Sequence, residues 1–205
     1  MRWSVVVPVK ALDAAKSRLP LDGAAGREDL ALAFVTDCLS ALTAARSIDR
    51  VLVVSSDVSI RAVAAKLGAT WLDEPVPAGL NAAAAHGLSA LQGPAAVVVG
   101  DLPALTPQAV DLALGLGAEV ERGIISDTGG TGTTILLGCD PAHCAPMFGP
   151  RSRARHVAAG CIDLGMDLTT PELARARRDV DTEVDLADAL RLGVGAATRA
   201  ALRLP

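Results

Sequence analysis

Aromatic side chains are almost absent from this chain. It has no tyrosine, two tryptophans and two phenylalanines, 2% aromatic in all, so the bulk of any core falls to Ala, Val and Leu. Those residues supply most of the 51% hydrophobic fraction, and with 20% charged residues the composition is that of a globular chain and excludes a disordered one. Long apolar runs are also missing. None reaches the ~18 residues of a membrane span, and Met1 leads straight into a strand-like segment without the charged, apolar and cleavage regions of a signal peptide. These absences predict a cytoplasmic protein with no membrane partner. A surplus of positive charge is lacking too: the formal charge of -4 and pI near 5.3 argue against a surface built to hold nucleic acid by its phosphates. The four cysteines, Cys38, Cys139, Cys144 and Cys161, form no CxxC pair, and the histidines do not flank them at zinc-ligand spacing. They read as reduced, mostly buried thiols. At 205 residues the chain is expected to form a single domain over 1–205 with a sizeable core.

The stretch that organises the rest is Ala95 to Leu105, AAVVVGDLPAL. A wholly apolar run bounded by Gly and Pro reads as a strand buried on both faces, the central strand of a parallel sheet. Ligands of open α/β sheets bind beyond the carboxyl ends of such strands, which makes Asp101 the first candidate for chemistry. The alternative is that Asp101 caps a helix starting near Pro107.

In chain order, WSVVVPV (Trp3 to Val9) is a first buried strand, followed by Lys10, Lys16, Ser17 and Arg18. Cations on one loop beyond a central strand could neutralise a polyphosphate together; a solvated basic turn is the plainer reading. A helix over Arg27 to Ala45 buries Leu30, Phe34, Cys38 and Leu42. Strand, helix and strand follow at Val51 to Ser55, Val58 to Leu67 and Ala69 to Leu72, giving a β-α-β-α-β order and predicting an α/β sandwich with helices on both faces of a parallel sheet. The loop DEPVPAGLN (Asp73 to Asn81) leads into a helix over Ala82 to Leu91. Gly79 there allows close backbone approach, and Asn81 either caps that helix or meets a ligand.

Past Asp101 a helix runs from Pro107 to about Leu116, followed by a strand at Gly123 to Ser126. Next comes DTGGTGTT (Asp127 to Thr134), whose backbone N–H groups and hydroxyls could cradle an anion, and then a strand at Ile135 to Leu137. In FGPRSRARH (Phe148 to His156) Gly149 turns the chain and Ser152 is expected to cap the next helix among arginines, another anion site; His156 is as well placed on the surface as in a site. RDVDTEVDL (Arg178 to Leu186) carries Asp179 and Asp181 two apart, pointing one way on an extended backbone. There Thr182 and Asp185 resemble a capping box. The aspartates read either as helix-dipole partners or, with Asp101, as ligands of one or two Mg²⁺ ions.

VPVKALDAAKSRL, GLNAA, GDLPAL, DTGGTGTT, FGPRSRARH and DVDTEVDL, in this order and spacing, resemble the phospholactate/phosphoenolpyruvate guanylyltransferases of coenzyme F420 biosynthesis, over about Val5 to Leu192. The resemblance implies a nucleotidyltransferase-type three-layer sandwich with a mostly parallel sheet. The reaction it implies is attack by the phosphate of a small phosphorylated acid on the α-phosphorus of GTP, with Mg²⁺ assisting and pyrophosphate leaving. It makes Asp101, Asp179 and Asp181 metal ligands and Thr133, Gly149 and Ser152 contacts to the acid. Lys10, Lys16, Ser17 and Arg18 would hold the triphosphate, with Lys16 and Arg18 acting beside Asp101 in catalysis, and Gly79 and Asn81 would lie near base or ribose. FGPRSRARH and the ending LGVGAATRAAL are most similar to actinobacterial members, which use phosphoenolpyruvate. The implied partners are thus GTP and phosphoenolpyruvate, with no nucleic acid and no membrane, and with a homodimer allowed. A 2-phospho-L-lactate enzyme and a non-catalytic nucleotide-binding domain are the competing readings.

Overall fold

A valine-rich strand can serve two cores at once, because successive side chains point to opposite faces of a sheet. In β1 (Trp3–Pro8), Val5 and Val7 join one apolar cluster and Val6 another; in β4 (Ala95–Val98), Ala96 and Val98 face the first and Ala95 and Val97 the second. The computed structural model describes residues 1–12, 26–74, 78–166 and 169–204. These form a seven-stranded sheet, with β2 (Ile48–Ser55), β3 (Thr70–Asp73), β5 (Arg122–Ser126), β6 (Thr133–Gly138) and β7 (Ile162–Asp163) arranged in the order β3-β2-β1-β4-β6-β5-β7. β6 alone runs antiparallel to its neighbours β4 and β5; every other pairing is parallel. β4 is therefore the central strand the apolar run predicted.

The first cluster is covered by α1 (Arg27–Ala44), α2 (Val58–Lys66), α4 (Pro107–Gly117) and α6 (Pro171–Arg177), and the second by α3 (Leu80–Ser89) together with Cys144, Phe148 and Cys161. The predicted stripe of α1 is fully buried at all four positions. Small residues take over the packing role that aromatics lack. A Cβ on Gly87 of α3 would sit 2.4 Å from the Val6 Cγ1 atom and 2.9 Å from Val54 Cγ2, so that helix lies on the sheet closer than any side chain would permit.

A third cluster joins Leu30 and Phe34 to Val180 and Ala189, under α7 (Glu183–Leu192) and α8 (Ala196–Ala201). Its anchor is polar. Asp37, buried inside α1, accepts 2.9 Å hydrogen bonds from the backbone N–H groups of Ala197 and Thr198, satisfying donors that the first turn of α8 would otherwise leave orphaned. No helix among the described residues is long and apolar enough to cross a membrane.

Candidate active site

Two adjoining clefts open where β1 and β4 end. The larger, about 350 Å³, is lined by Pro8, Lys10, Gly100, Asp101 and Asp181 among others. The smaller, about 190 Å³, shares Pro8, Val9, Lys10 and Leu80 with it and extends past the ends of β2 and β3 to Ser56, Glu74 and Gly79. Crossover connections put the loops after parallel strands on one edge of the sheet, which is why residues from four strands meet there. Gly79 has φ +93 and turns the chain directly into α3, so that helix begins at Leu80, two residues before the sequence predicts. Lys16, Ser17 and Arg18 lie outside the described residues.

Asp101 does not cap a helix, and the capping of α7 needs neither Asp179 nor Asp181. α4 is capped by Thr106, whose hydroxyl accepts from Ala109 N at 3.2 Å, and α7 by Thr182 and Asp185 in the predicted capping box. Asp101 instead tethers the downstream acidic segment: its carbonyl accepts from Val180 N at 3.1 Å, and Val180 is buried in the third cluster. That places Asp179 beside Asp101. Burial, then the charges of Asp101, Asp181 and Asp127, push the Asp179 carboxyl up to about 7. Asp181, by contrast, is exposed at the cleft. Among the described residues no group of three or more Asp, Glu, His or Cys side chains is gathered tightly enough to hold an ion unaided.

The glycine-rich loop differs from expectation. Its N–H groups already hold an anion, the loop's own Asp127, whose two carboxylate oxygens accept from Thr131 N and Gly132 N at 2.8 Å each. A Cβ on Gly132 would lie 2.5 Å from that carboxylate, so the glycine serves the turn. Arg177 locks the same loop by donating to the carbonyls of Ser126, Gly165 and Asp127.

Of the expected acid contacts, Gly149 is hydrogen-bonded to Ser152, and Thr133 to a residue whose role the sequence left undecided. His156 is fully buried and lies on α5 (Ser152–Ala158), one turn after Ser152. Its Nε2 accepts from Met147 N at 3.0 Å, so the ring proton sits on Nδ1, which lies 3.0 Å from the hydroxyl of Thr133. Burial, with Arg155 nearby, pushes its pKa down to about 4, and the ring stays neutral. The ring also stands edge-on to Phe148. Asn81 neither caps α3 nor stands apart: its amide clasps the Phe148 backbone, donating to the carbonyl at 3.1 Å and accepting from the N–H at 2.7 Å. Ser152 likewise does not cap α5. The cap position is Arg151 in a left-handed conformation, φ 58, and Ser152 is the first helical residue, its N–H donating to Gly149 O at 3.0 Å. Thr133 opens β6, and the carbonyl of its neighbour Thr134 accepts from Val99 N at 3.0 Å, so Thr133 lies next to the end of β4 that leads to Asp101.

Residues 3–204 match the family model described as "Guanylyl transferase CofC like". The chain belongs to that family. A phosphoenolpyruvate guanylyltransferase of Streptomyces coelicolor is 41% identical over 206 residues, 98% of this chain and 95% of that protein. Among solved structures, a candidate nucleotide-diphospho-sugar transferase from Desulfovibrio desulfuricans superposes with a TM-score of 0.69 at 17% identity, covering 99% of this chain and 95% of that one. A manganese complex from Mycobacterium tuberculosis gives a TM-score of 0.59 at 18% identity, covering 93% and 98%. The fold of this guanylyl transferase family member is thus the nucleotidyltransferase sandwich that the resemblance implied.

Whether a family member with this site could hold Mg²⁺ is answered by its donor set. Mg²⁺ prefers hard oxygen ligands and is usually held by one or two carboxylates plus substrate phosphates and water. Two aspartates at one cleft, with a third whose pKa is raised by burial first and by their charges next, fit such an ion once a polyphosphate completes its coordination. They do not fit an all-protein cage.

Proposed function

We propose that this chain is a cytoplasmic guanylyltransferase that joins GMP from GTP to the phosphate of phosphoenolpyruvate, releasing pyrophosphate, in coenzyme F420 biosynthesis. The observation carrying the reading is the crowding of Asp179 against Asp101 and Asp181 at the mouth of a cleft, where none of the three is needed to cap a helix. Mutually repelling carboxylates at a strand end favour a cation and, with it, a polyphosphate. The choice of phosphoenolpyruvate follows the names of the curated relatives.

In this reading Asp101, Asp179 and Asp181 hold Mg²⁺, which would neutralise charge on the GTP phosphates as the α-phosphorus is attacked. Lys10, Lys16, Ser17 and Arg18 hold the triphosphate, and Gly79 and Asn81 border base and ribose. Thr133, Gly149 and Ser152 fix the acid. An oxygen of the phosphoenolpyruvate phosphate forms the new bond to the α-phosphorus, and the bond from the α-phosphorus to the bridging β-oxygen breaks. That nucleophile is ionised at neutral pH, so no general base is required, and the buried neutral imidazole of His156 is consistent with a purely positional task. The chain's contribution is to hold two polyanions in line against their repulsion.

The test is to incubate the protein with each nucleoside triphosphate, Mg²⁺ and either phosphoenolpyruvate or 2-phospho-L-lactate, and to follow pyrophosphate. GTP with phosphoenolpyruvate should be fastest. The two acids differ in shape at C2, a difference worth roughly 10- to 200-fold. Faster product from 2-phospho-L-lactate overturns the choice of acid, and no pyrophosphate with any pair overturns the activity.

A further inference from the structure

The smaller cleft contains a charge that the phosphate chemistry does not use. Glu74 follows the end of β3 and is 9% exposed. Among the described residues no cation is paired with it, and its one hydrogen bond is a long contact, 3.4 Å, from Ala78 N to Oε1. A carboxylate that lines a cleft and accepts a single long hydrogen bond keeps acceptor capacity for a ligand's donors. The walls around it are mostly apolar, Pro8, Val9, Leu80 and Ala83, with Lys10 and Ser56 also lining the cleft. At about 190 Å³ the cleft suits a flat ring system, while the adjoining space, about 350 Å³ with Asp101 and Asp181 at its edge, takes the more polar remainder of a nucleotide.

We infer that Glu74 is the residue that selects guanine, its carboxylate accepting hydrogen bonds from the N1–H and the exocyclic N2–H of the base. The inference rests on the proposed use of GTP. Of the common bases only guanine presents two adjacent donors on that edge, matching the two oxygens of a carboxylate as a guanidinium fork does. Adenine and cytosine place a lone pair opposite the carboxylate, and uracil offers one N–H between two carbonyls. Discrimination then comes from repulsion as much as attraction, because the wrong base leaves a buried charge unsatisfied.

Inosine triphosphate lacks only the exocyclic amine, so the ratio of GTP to ITP isolates one of the two hydrogen bonds. Binding of GTP and of ITP to the Mg²⁺-loaded protein is measured by calorimetry, and pyrophosphate release is followed in parallel. The intact protein should prefer GTP by ~10- to 100-fold, the range of a hydrogen bond to a buried charge. Glu74→Gln keeps the volume and one acceptor; it should bring GTP and ITP within about 3-fold of each other while leaving the KM for the acid unchanged. Thermal unfolding of the variant verifies that it folds, and Glu74→Asp, which keeps both acceptors on a shorter stem, should retain part of the preference. Equal binding of GTP and ITP by the intact protein, or an unchanged ratio in folded Glu74→Gln, overturns the inference. A guanine preference in binding without pyrophosphate release from any pair of substrates would overturn the proposed activity and leave the role of Glu74 standing.

Discussion

Replacing Asp179 by Asn should make the metal-free protein more stable. The Asp179 carboxyl is raised from its ordinary 3.8 to about 7 by burial first and by Asp101 and Asp181 next. A carboxyl with a raised folded-state pKa binds its proton more tightly in the native than in the unfolded chain. Its contribution is therefore favourable at low pH and is lost as pH rises from about 4 through 7. A rise from 3.8 to about 7 corresponds to about 4 kcal/mol at full ionisation. Asp179 borders an open cleft and its acidic neighbours can move apart, so about 1–3 kcal/mol is the expected loss. Asn has nearly the same volume and no charge to titrate. Urea unfolding in EDTA should show the unmodified protein losing that amount relative to Asp179→Asn between about pH 5 and pH 8, the two converging near pH 4. Excess Mg²⁺ should reverse the order above pH ~7, because an ion bound only by the native state stabilises by mass action, and more so with the full set of carboxylates. Parallel pH curves in EDTA, or a less stable Asp179→Asn near pH 8, would refute the crowding on which the proposed metal site rests.

Asp101→Asn should abolish turnover without loss of fold, since one ligand charge disappears and the volume stays; near-normal turnover at limiting Mg²⁺ would refute its assignment. Lys16→Ala and Arg18→Ala should mainly weaken GTP, and Ser152→Ala mainly raise the KM for the acid; equal effects on both substrates would show that the two anion sites are not separate. His156→Gln keeps an acceptor for Met147 N but withdraws the donor from Thr133, and should raise the KM for the acid about tenfold with that for GTP unchanged. With the imidazole pKa near 4, acid affinity should not fall as pH rises from about 5.5 to 8, whereas a fall through pH 6 to 7 would mean that His156 binds the acid as a cation.

The order of strands and helices as far as β6 was legible because the chain is locally consistent there: apolar runs of β-branched residues for β1, β2 and β4, and a four-residue stripe for α1, all buried as expected; β7, α6 and α8 carry no such pattern and were not expected. The place of Asp101 was legible for the same reason, as a charge at the end of the most apolar run. Hydrogen-bond partners were not. The loop at Asp127 reads as an anion cradle because glycine and threonine tell nothing of which anion is held, and here it is the aspartate that opens the motif. Asn81 reads as a cap because its partner, the Phe148 backbone, lies 67 positions away. His156 does carry a signal, its one-turn spacing from Ser152, but burial of the ring depends on Phe148 and Met147 folding back over it. Glu74 has none beyond its place after a strand.

These contacts divide the site by charge. On the nucleotide side the candidate groups are formally charged, Lys10 with the aspartates, and repulsion among the aspartates is relieved only when a cation and polyphosphate arrive together. Near Thr133 several charged side chains already have partners: Arg155 donates to Phe148 O, Arg153 pairs with Asp163 at 2.6 Å, and Asp127 is spent on its own loop, while Arg151, between Gly149 and Ser152, stands exposed. In the proposed reading the hydroxyl of Thr133 adds a neutral donor to the acid. Because that oxygen accepts from His156 Nδ1, its own proton is directed away from the ring and toward an incoming acceptor. Neutral donors fixed in position grip a phosphate or carboxylate less strongly than arginines would, but they cost no reorganisation when the phosphate must also act as nucleophile. An arginine ion-paired to the attacking oxygen would lower its nucleophilicity; in the proposed reading the hydroxyl of Thr133, its polarity fixed by His156, orients the acid and leaves its reactivity intact.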